Sequence, residues 1–160
     1  MDALLLCMGG ELESVTSLAT RSKNSVFAQY EYATTSVTIL KFKDGRIGKC
    51  ASVIDCIQPY YFHTHLVGSE GSLLDNKFHS NKIGGLNKHA WSNLSMKLLD
   101  SGDVSDHPYQ TQFEAFFNAI DRGEEMPLTN LRESMKSHYA VLAADRSAEL
   151  GREVKIGELK

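Results

Sequence analysis

The period of apolar positions changes along the chain, and each change predicts an element. Asp2 to Met8 (DALLLCM) is almost wholly apolar and runs into Gly9-Gly10, the pattern of the last turns of a buried helix closed where positive φ is cheap. Seven residues cannot hold an isolated helix, which needs about 12–15. The pattern therefore predicts a helix that begins upstream, with Met1 only a start codon. β signals follow. Glu11 to Thr20 alternates Leu12, Ser14/Val15 and Leu18 with polar residues, and Val26 to Tyr32 is rich in aromatics. Thr34 to Phe42 is dense in β-branched residues and ends at Asp44-Gly45, a two-residue hairpin signal with Arg46 to Ile57 as its partner strand. Tyr60 to Val67 and Ser72 to Asp75 flank Gly68-Ser-Glu-Gly71, where the glycine pair predicts a turn with positive φ. This is the pattern of an antiparallel meander.

Between Asn76 and Asp106 the signal weakens, and only Trp91 to Leu99 reads as an edge strand. The period then becomes helical. Pro108 suits a first helical position behind His107 or Asp106 as cap, and Phe113, Phe116, Phe117 and Ile120 mark one face of a helix ending near Gly123. After Pro127, Thr129 or Asn130 caps a second helix whose apolar stripe is Leu131, Met135, Tyr139, Leu142 and Leu150, stopping at Gly151. Glu153 to Ile156 reads as a last short strand. Strands followed by amphipathic helices predict an α+β fold: an open, largely antiparallel or mixed sheet with helices packed on one face. The other face is predicted to meet another domain, a second copy or a ligand, because so large a sheet surface is costly to leave wet.

Composition narrows the classes. A chain of 160 residues, 42% of them hydrophobic, is one domain's worth of material and can bury a core. With 17 Lys+Arg against 20 Asp+Glu it lacks the basic footprint of a nucleic-acid or anionic-membrane binder. The longest apolar run, Ala3 to Met8, is too short for a spanning helix and lacks the basic flank of a secretory signal. Cys7, Cys50 and Cys56 are odd in number and form no C-x-x-C pair, so they read as the reduced thiols of a cytoplasmic protein. No two of the twelve glycines are separated by a single residue. That excludes G-x-G-x-x-G, and neither a phosphate loop nor a G-x-S-x-G elbow occurs.

Local candidates for chemistry read mostly as structure. On a strand, His63-Thr-His65 would place both imidazoles on one face, about 6.5–7 Å apart. The nearest further ligands, His79 and Glu70, stand at no diagnostic metal spacing, so no metal is expected and the pair reads as lining the exposed sheet face, where it could help seat a polar substrate or a partner. Gly68–Gly71 lacks the helix behind it that a phosphate nest needs. Trp91, with Phe78 and His89, reads as an edge-strand anchor before a sugar-stacking platform. Arg132, Arg146 and Arg152 read as solvated charges paired with carboxylates such as Glu133 and Glu149.

The order of these motifs resembles the C-terminal domain of the Gfo/Idh/MocA family, the relatives of glucose–fructose oxidoreductase and inositol dehydrogenase. The resemblance rests on Asp2-x-Leu4-Leu5 before Gly9, the strand pair around Asp44-Gly45, Leu66-Val67-Gly68-Ser69-Glu70-Gly71-Ser72-Leu73, Pro108-Tyr109-x-x-x-Phe113-x-x-Phe116-x-x-Ala119-Ile120-x-x-Gly123, Pro127-Leu128-Thr129, and Ala143-x-x-x-Ser147-Ala148-x-x-Gly151-Arg152-x-Val154. It covers residues 1–160 as a single domain. It implies an NAD- or NADP-dependent oxidoreductase of a sugar, cyclitol or nucleotide-linked sugar, whose N-terminal Rossmann domain lies outside this chain. The family's catalytic Lys belongs to that half, and its essential His stands three residues before an Asp that Asp2 resembles, so no catalytic residue, cofactor-binding residue or metal ligand is expected here. Tyr60 and Tyr109 resemble substrate-facing tyrosines of inositol dehydrogenases, phenols able to hydrogen-bond sugar hydroxyls over an apolar ring face. The implied partners are the missing Rossmann domain, a carbohydrate substrate and a second copy through the sheet face. The chain alone is expected to be inactive; the alternatives are a non-catalytic dimerisation module or a free-standing small-ligand binder.

Overall fold

The structure, a computed structural model, describes residues 1–59, 62–95, 107, 109–127 and 130–159. The chain divides into two compact units, Met1–Cys56 with Gln110–Lys160, and Ile57–Tyr109. In chain order the elements are α1 (Asp2–Met8), β1 (Leu12–Thr20), β2 (Thr35–Phe42), β3 (Ile47–Val53), β4 (His65–Val67), β5 (Gly71–Leu74), β6 (Lys77–Ser80), β7 (Ser92–Asn93), α2 (Tyr109–Arg122), α3 (Leu131–Leu150) and β8 (Val154–Lys155). The architecture is α+β, as the pattern predicts, but with two open antiparallel sheets, one in each unit, instead of one continuous sheet.

The first unit carries the sheet β3-β2-β1-β8. Register sets its faces: Val15 opposes Leu40, Ser17 opposes Thr38, and Thr38 opposes Cys50 across the next pair. These positions look toward α3, and the intervening ones look away. A register shift between Leu12 and Ser14 lets two successive residues, Ser14 and Val15, both be buried. One core cluster joins Val15, Ala143, Ala144 and Val154; the other joins Leu40, Phe42 and Ala140, with Leu4, Leu5 and Met8 of α1 packed against it. On the opposite face Leu18 is 74% exposed, and Val37, Ile39 and Val53 are exposed with it. The expected exposed sheet face is therefore present, its apolar residues interleaved with the exposed Thr16, Lys41 and Lys49.

Helix α3 corrects the predicted stripe. Leu131, Met135, Leu142 and Leu150 are exposed, whereas Ala140, Ala143, Ala144 and Ser147 are buried. The face turned to the sheet is the small one, which lets helix and strand approach closely. Its ends follow the sequence signals: Asn130 Oδ1 accepts from the Glu133 N–H at 3.0 Å, and Gly151 closes the helix in the left-handed region at φ 64°. Thr129, Pro108 and Asp106, the other residues named for caps and first turns, lie outside the described residues. In α2 only Ala119 is buried; Phe113, Phe116, Phe117 and Ile120 are exposed.

The loops show three further departures. The Asp44-Gly45 turn is a three-residue loop, not two: Phe42 N–H bonds Arg46 O at 3.0 Å, Gly45 N–H bonds Phe42 O at 3.0 Å, and Gly45 has φ 87°. Arg46 braces this turn, its Nε 2.9 Å from Asp44 Oδ2, and the guanidinium holds the Asp44 carboxyl below the usual carboxylate range while also donating to Met8 O at the end of α1. The aromatic stretch read as a β signal is a 3-10 turn at Ser25–Phe27 started by Asn24, whose side chain accepts from the Val26 N–H at 3.1 Å. Gly68 and Gly71, read as positive-φ residues, are not in that region. They serve close approach instead: Gly68 N–H bonds Gly71 O at 2.9 Å, and a Cβ on Gly71 would stand 2.8 Å from the His79 carbonyl oxygen.

The second unit carries β4-β5-β6-β7. Of the strand predicted over Tyr60–Val67, Tyr60 and Tyr61 lie outside the described residues and β4 starts at His65, next to Thr64, whose carbonyl accepts the Asp75 N–H at 2.8 Å and whose own N–H goes to Asp75 Oδ1 at 2.9 Å. Asp75 takes φ 54°, the left-handed geometry a two-residue loop between Leu74 and Lys77 demands, so a β5–β6 hairpin forms where the pattern weakens. The predicted edge strand narrows to Ser92–Asn93 among the described residues; 96–106 lie outside them.

Candidate functional site

Of the two tyrosines implied as substrate groups, Tyr60 lies outside the described residues and Tyr109 is the first residue of α2. Tyr109 is 49% exposed, and its hydroxyl lies 3.0 Å from His107 Nδ1. The two rings meet edge to face, centroids 5.4 Å apart at 61°. The Tyr109 N–H also bonds His107 O at 2.9 Å, a tight turn across one residue that brings the side chains together. Sequence reasoning took His107 as a possible cap and missed this pairing; the His-Pro-Tyr triplet carries it.

His63 and His65 have ring centroids 6.2 Å apart, close to the strand-based expectation, although His63 itself precedes β4. His63 Nδ1 stands 3.2 Å from an Asp75 carboxylate oxygen. Among the described residues no group of three or more His, Cys, Asp or Glu is placed to hold a metal ion. Arg146 pairs with Glu149 at 3.1 Å, as expected, but Glu133 pairs with Lys136 at 2.6 Å, and Arg152 with Glu158 at 2.9 Å. Cys7 and Cys56 are exposed and Cys50 is half-buried, all three as free thiols.

Two hollows lie within the first unit. One, of roughly 300 Å³, is lined by Ser17, Tyr32, Ser36, Thr38 and Asp145 together with four alanines. The other, of roughly 780 Å³, lies between the apolar side of α2 and the start of α3, with Phe113, Phe116, Met126, Leu131 and Met135 on its walls. Asp2, which resembles the family's Asp, sits on α1 and accepts a hydrogen bond from Ser137 Oγ of α3.

No protein-family model matches the sequence, and no curated protein matches it. Solved structures do. An oxidoreductase from Agrobacterium radiobacter, determined with NAD+, L-tartaric acid and magnesium, superposes with a TM-score of 0.75 at 17% identity, over 99% of this chain and 47% of its own. The scyllo-inositol dehydrogenase of Lactobacillus casei, with bound NAD(H) and scyllo-inositol, gives 0.69 at 15% identity over 98% and 45%. The WlbA dehydrogenase of Bordetella pertussis, in complex with NADH and UDP-GlcNAcA, gives 0.65 at 19% identity over 96% and 41%. The fold is of the Gfo/Idh/MocA type. This chain spans less than half the length of these Gfo/Idh/MocA-type neighbours, and nearly all of it is matched.

Proposed function

We propose that this chain is the substrate-side and subunit-pairing domain of an NAD(P)-dependent oxidoreductase acting on a sugar, cyclitol or nucleotide-linked sugar. One observation carries the reading: 96–99% of the chain superposes on only 41–47% of oxidoreductases solved with NAD+ or NAD(H) and, in two cases, with a cyclitol or a nucleotide sugar. The nicotinamide supplies the hydride acceptor or donor in such enzymes. A dinucleotide cradle of the doubly wound kind needs parallel strands and a glycine-rich turn at a helix N-terminus. The strand pairs described here are antiparallel, so these residues do not fit the dinucleotide.

In this reading the proton-transferring His and Lys belong to the other half of the enzyme, and this chain's part is to bind and orient. Tyr109 and Tyr60 would hydrogen-bond substrate hydroxyls. The apolar outer face of Leu18, Val37, Ile39 and Val53 would be covered by a second copy, with the cofactor domain as the neighbour it otherwise meets. Free thiols support a cytoplasmic setting, and no described helix is long and apolar enough to cross a membrane.

Nicotinamide fluorescence tests the division of labour: NADH titrated into this chain is expected to bind no better than to an unrelated protein. Micromolar binding would overturn it. Sedimentation tests the pairing role, with a concentration-dependent dimer expected; a monomer at every concentration would leave the outer face to the cofactor domain.

A further inference from the structure

We propose that His107 is a positioning residue for Tyr109, holding the phenol proton so that the phenol oxygen is offered as an acceptor to a substrate hydroxyl; this rests on reading Tyr109 as a substrate group. The hydroxyl stands 3.0 Å from Nδ1, within hydrogen-bond range. A neutral imidazole has one ring nitrogen as donor and the other as acceptor, and a phenol is a strong donor to the acceptor nitrogen. With its proton so engaged, the phenol oxygen keeps lone pairs for a donor from outside. Polyhydroxy compounds supply such donors.

Exposure points to geometry in place of stability. Tyr109 is half exposed, and a hydrogen bond in contact with water contributes little net stability, since water competes for both partners. What the bond does set is the rotor: a lone exposed Tyr hydroxyl turns freely, whereas this one is held by an imidazole whose backbone is tied to that of Tyr109 by the Tyr109 N–H to His107 O bond at 2.9 Å. A pre-set hydroxyl loses less freedom on binding.

Nitrogen-15 NMR of the 160-residue chain with labelled histidine tests the pair directly. The expected signature is an unprotonated Nδ1 on His107 at neutral pH whose shift moves on Tyr109→Phe. A protonated Nδ1, or no response to Tyr109→Phe, overturns the proposal. Titrating scyllo-inositol as probe, while following the Tyr109 ring signals, tests its use. His107→Leu is expected to weaken binding by about three- to tenfold, and His107→Asn, whose amide oxygen replaces Nδ1 as acceptor, to restore it. Equal affinity in His107→Leu and the unchanged chain overturns the proposal alone. Undiminished binding in Tyr109→Phe, or no binding by the unchanged chain, overturns the reading of Tyr109 and the proposal with it.

Discussion

Ser147 fastens the first unit at one point. Its hydroxyl accepts the Ser17 N–H at 2.9 Å and donates to Arg152 O at 2.6 Å, joining α3, β1 and the turn that follows α3. It is wholly buried, so Ser147→Ala strands a donor and an acceptor and is expected to cost about 1–3 kcal/mol. Urea unfolding should show the lower midpoint with an unchanged slope. Glu158 is a different case, on the surface with its side chain 41% exposed yet held down to about 2 by the Arg152 guanidinium first and the Lys155 N–H second. Because its folded value lies below the usual carboxylate value, this tie contributes above that value and is lost as pH falls through about 2. Carboxyl NMR should find the Glu158 midpoint there, rising in Arg152→Gln; an ordinary midpoint in the unchanged chain would refute the tie. At this scale the charged residues were legible in the sequence, but most of their partners were not. Arg152 reads as a solvated charge paired with carboxylates such as Glu133 and Glu149, yet the 3-10 turn at Ile156–Leu159 brings Glu158 to it.

Helix ends and glycine turns were the most legible part, because caps and turns are local chemistry. Gly9, Gly45, Gly123 and Gly151 all carry positive φ where the pattern places an end or a turn. Faces were less legible. A stripe of leucines on α3 reads as the core side because large apolar residues are usually buried, but the alanine side wins here by allowing closer approach to β1. Ala143→Leu should therefore cost about 1–3 kcal/mol by overpacking, while Leu142→Gln stays within about 0.5 kcal/mol. Thermal melts of the two variants check the pair, and the reverse order would refute this packing. Gly71 makes the same point on a strand. Replacing it with Ala puts a Cβ against the backbone of β6, so hydrogen exchange of the β5 and β6 amides should quicken, with the first unit unchanged. The β5–β6 hairpin escaped notice because its turn, Asp75-Asn76, lacks glycine and relies on Asp75 tolerating the left-handed region.

For the whole molecule, the exposed sheet face was readable from the sequence, whereas the split into two sheets was not, since strand order depends on pairings far apart in the chain. The outer face carries the proposed pairing, and Ile39→Glu is its sharpest probe. The side chain is 39% exposed and points away from the core, so the variant is expected to fold and to sediment as a monomer where the unchanged chain pairs. A dimer that survives this charge would move the contact elsewhere. The pairing of β8 with β1 has a consequence in time. Ser14 meets Lys155 and Val15 meets Val154, partners nearly the full length of the chain apart, while the second unit is closed entirely by neighbouring strands. Contacts of such separation form late. On the ribosome the described strands of the second unit are complete before α3 is made, and β1 waits with an open edge until β8 emerges.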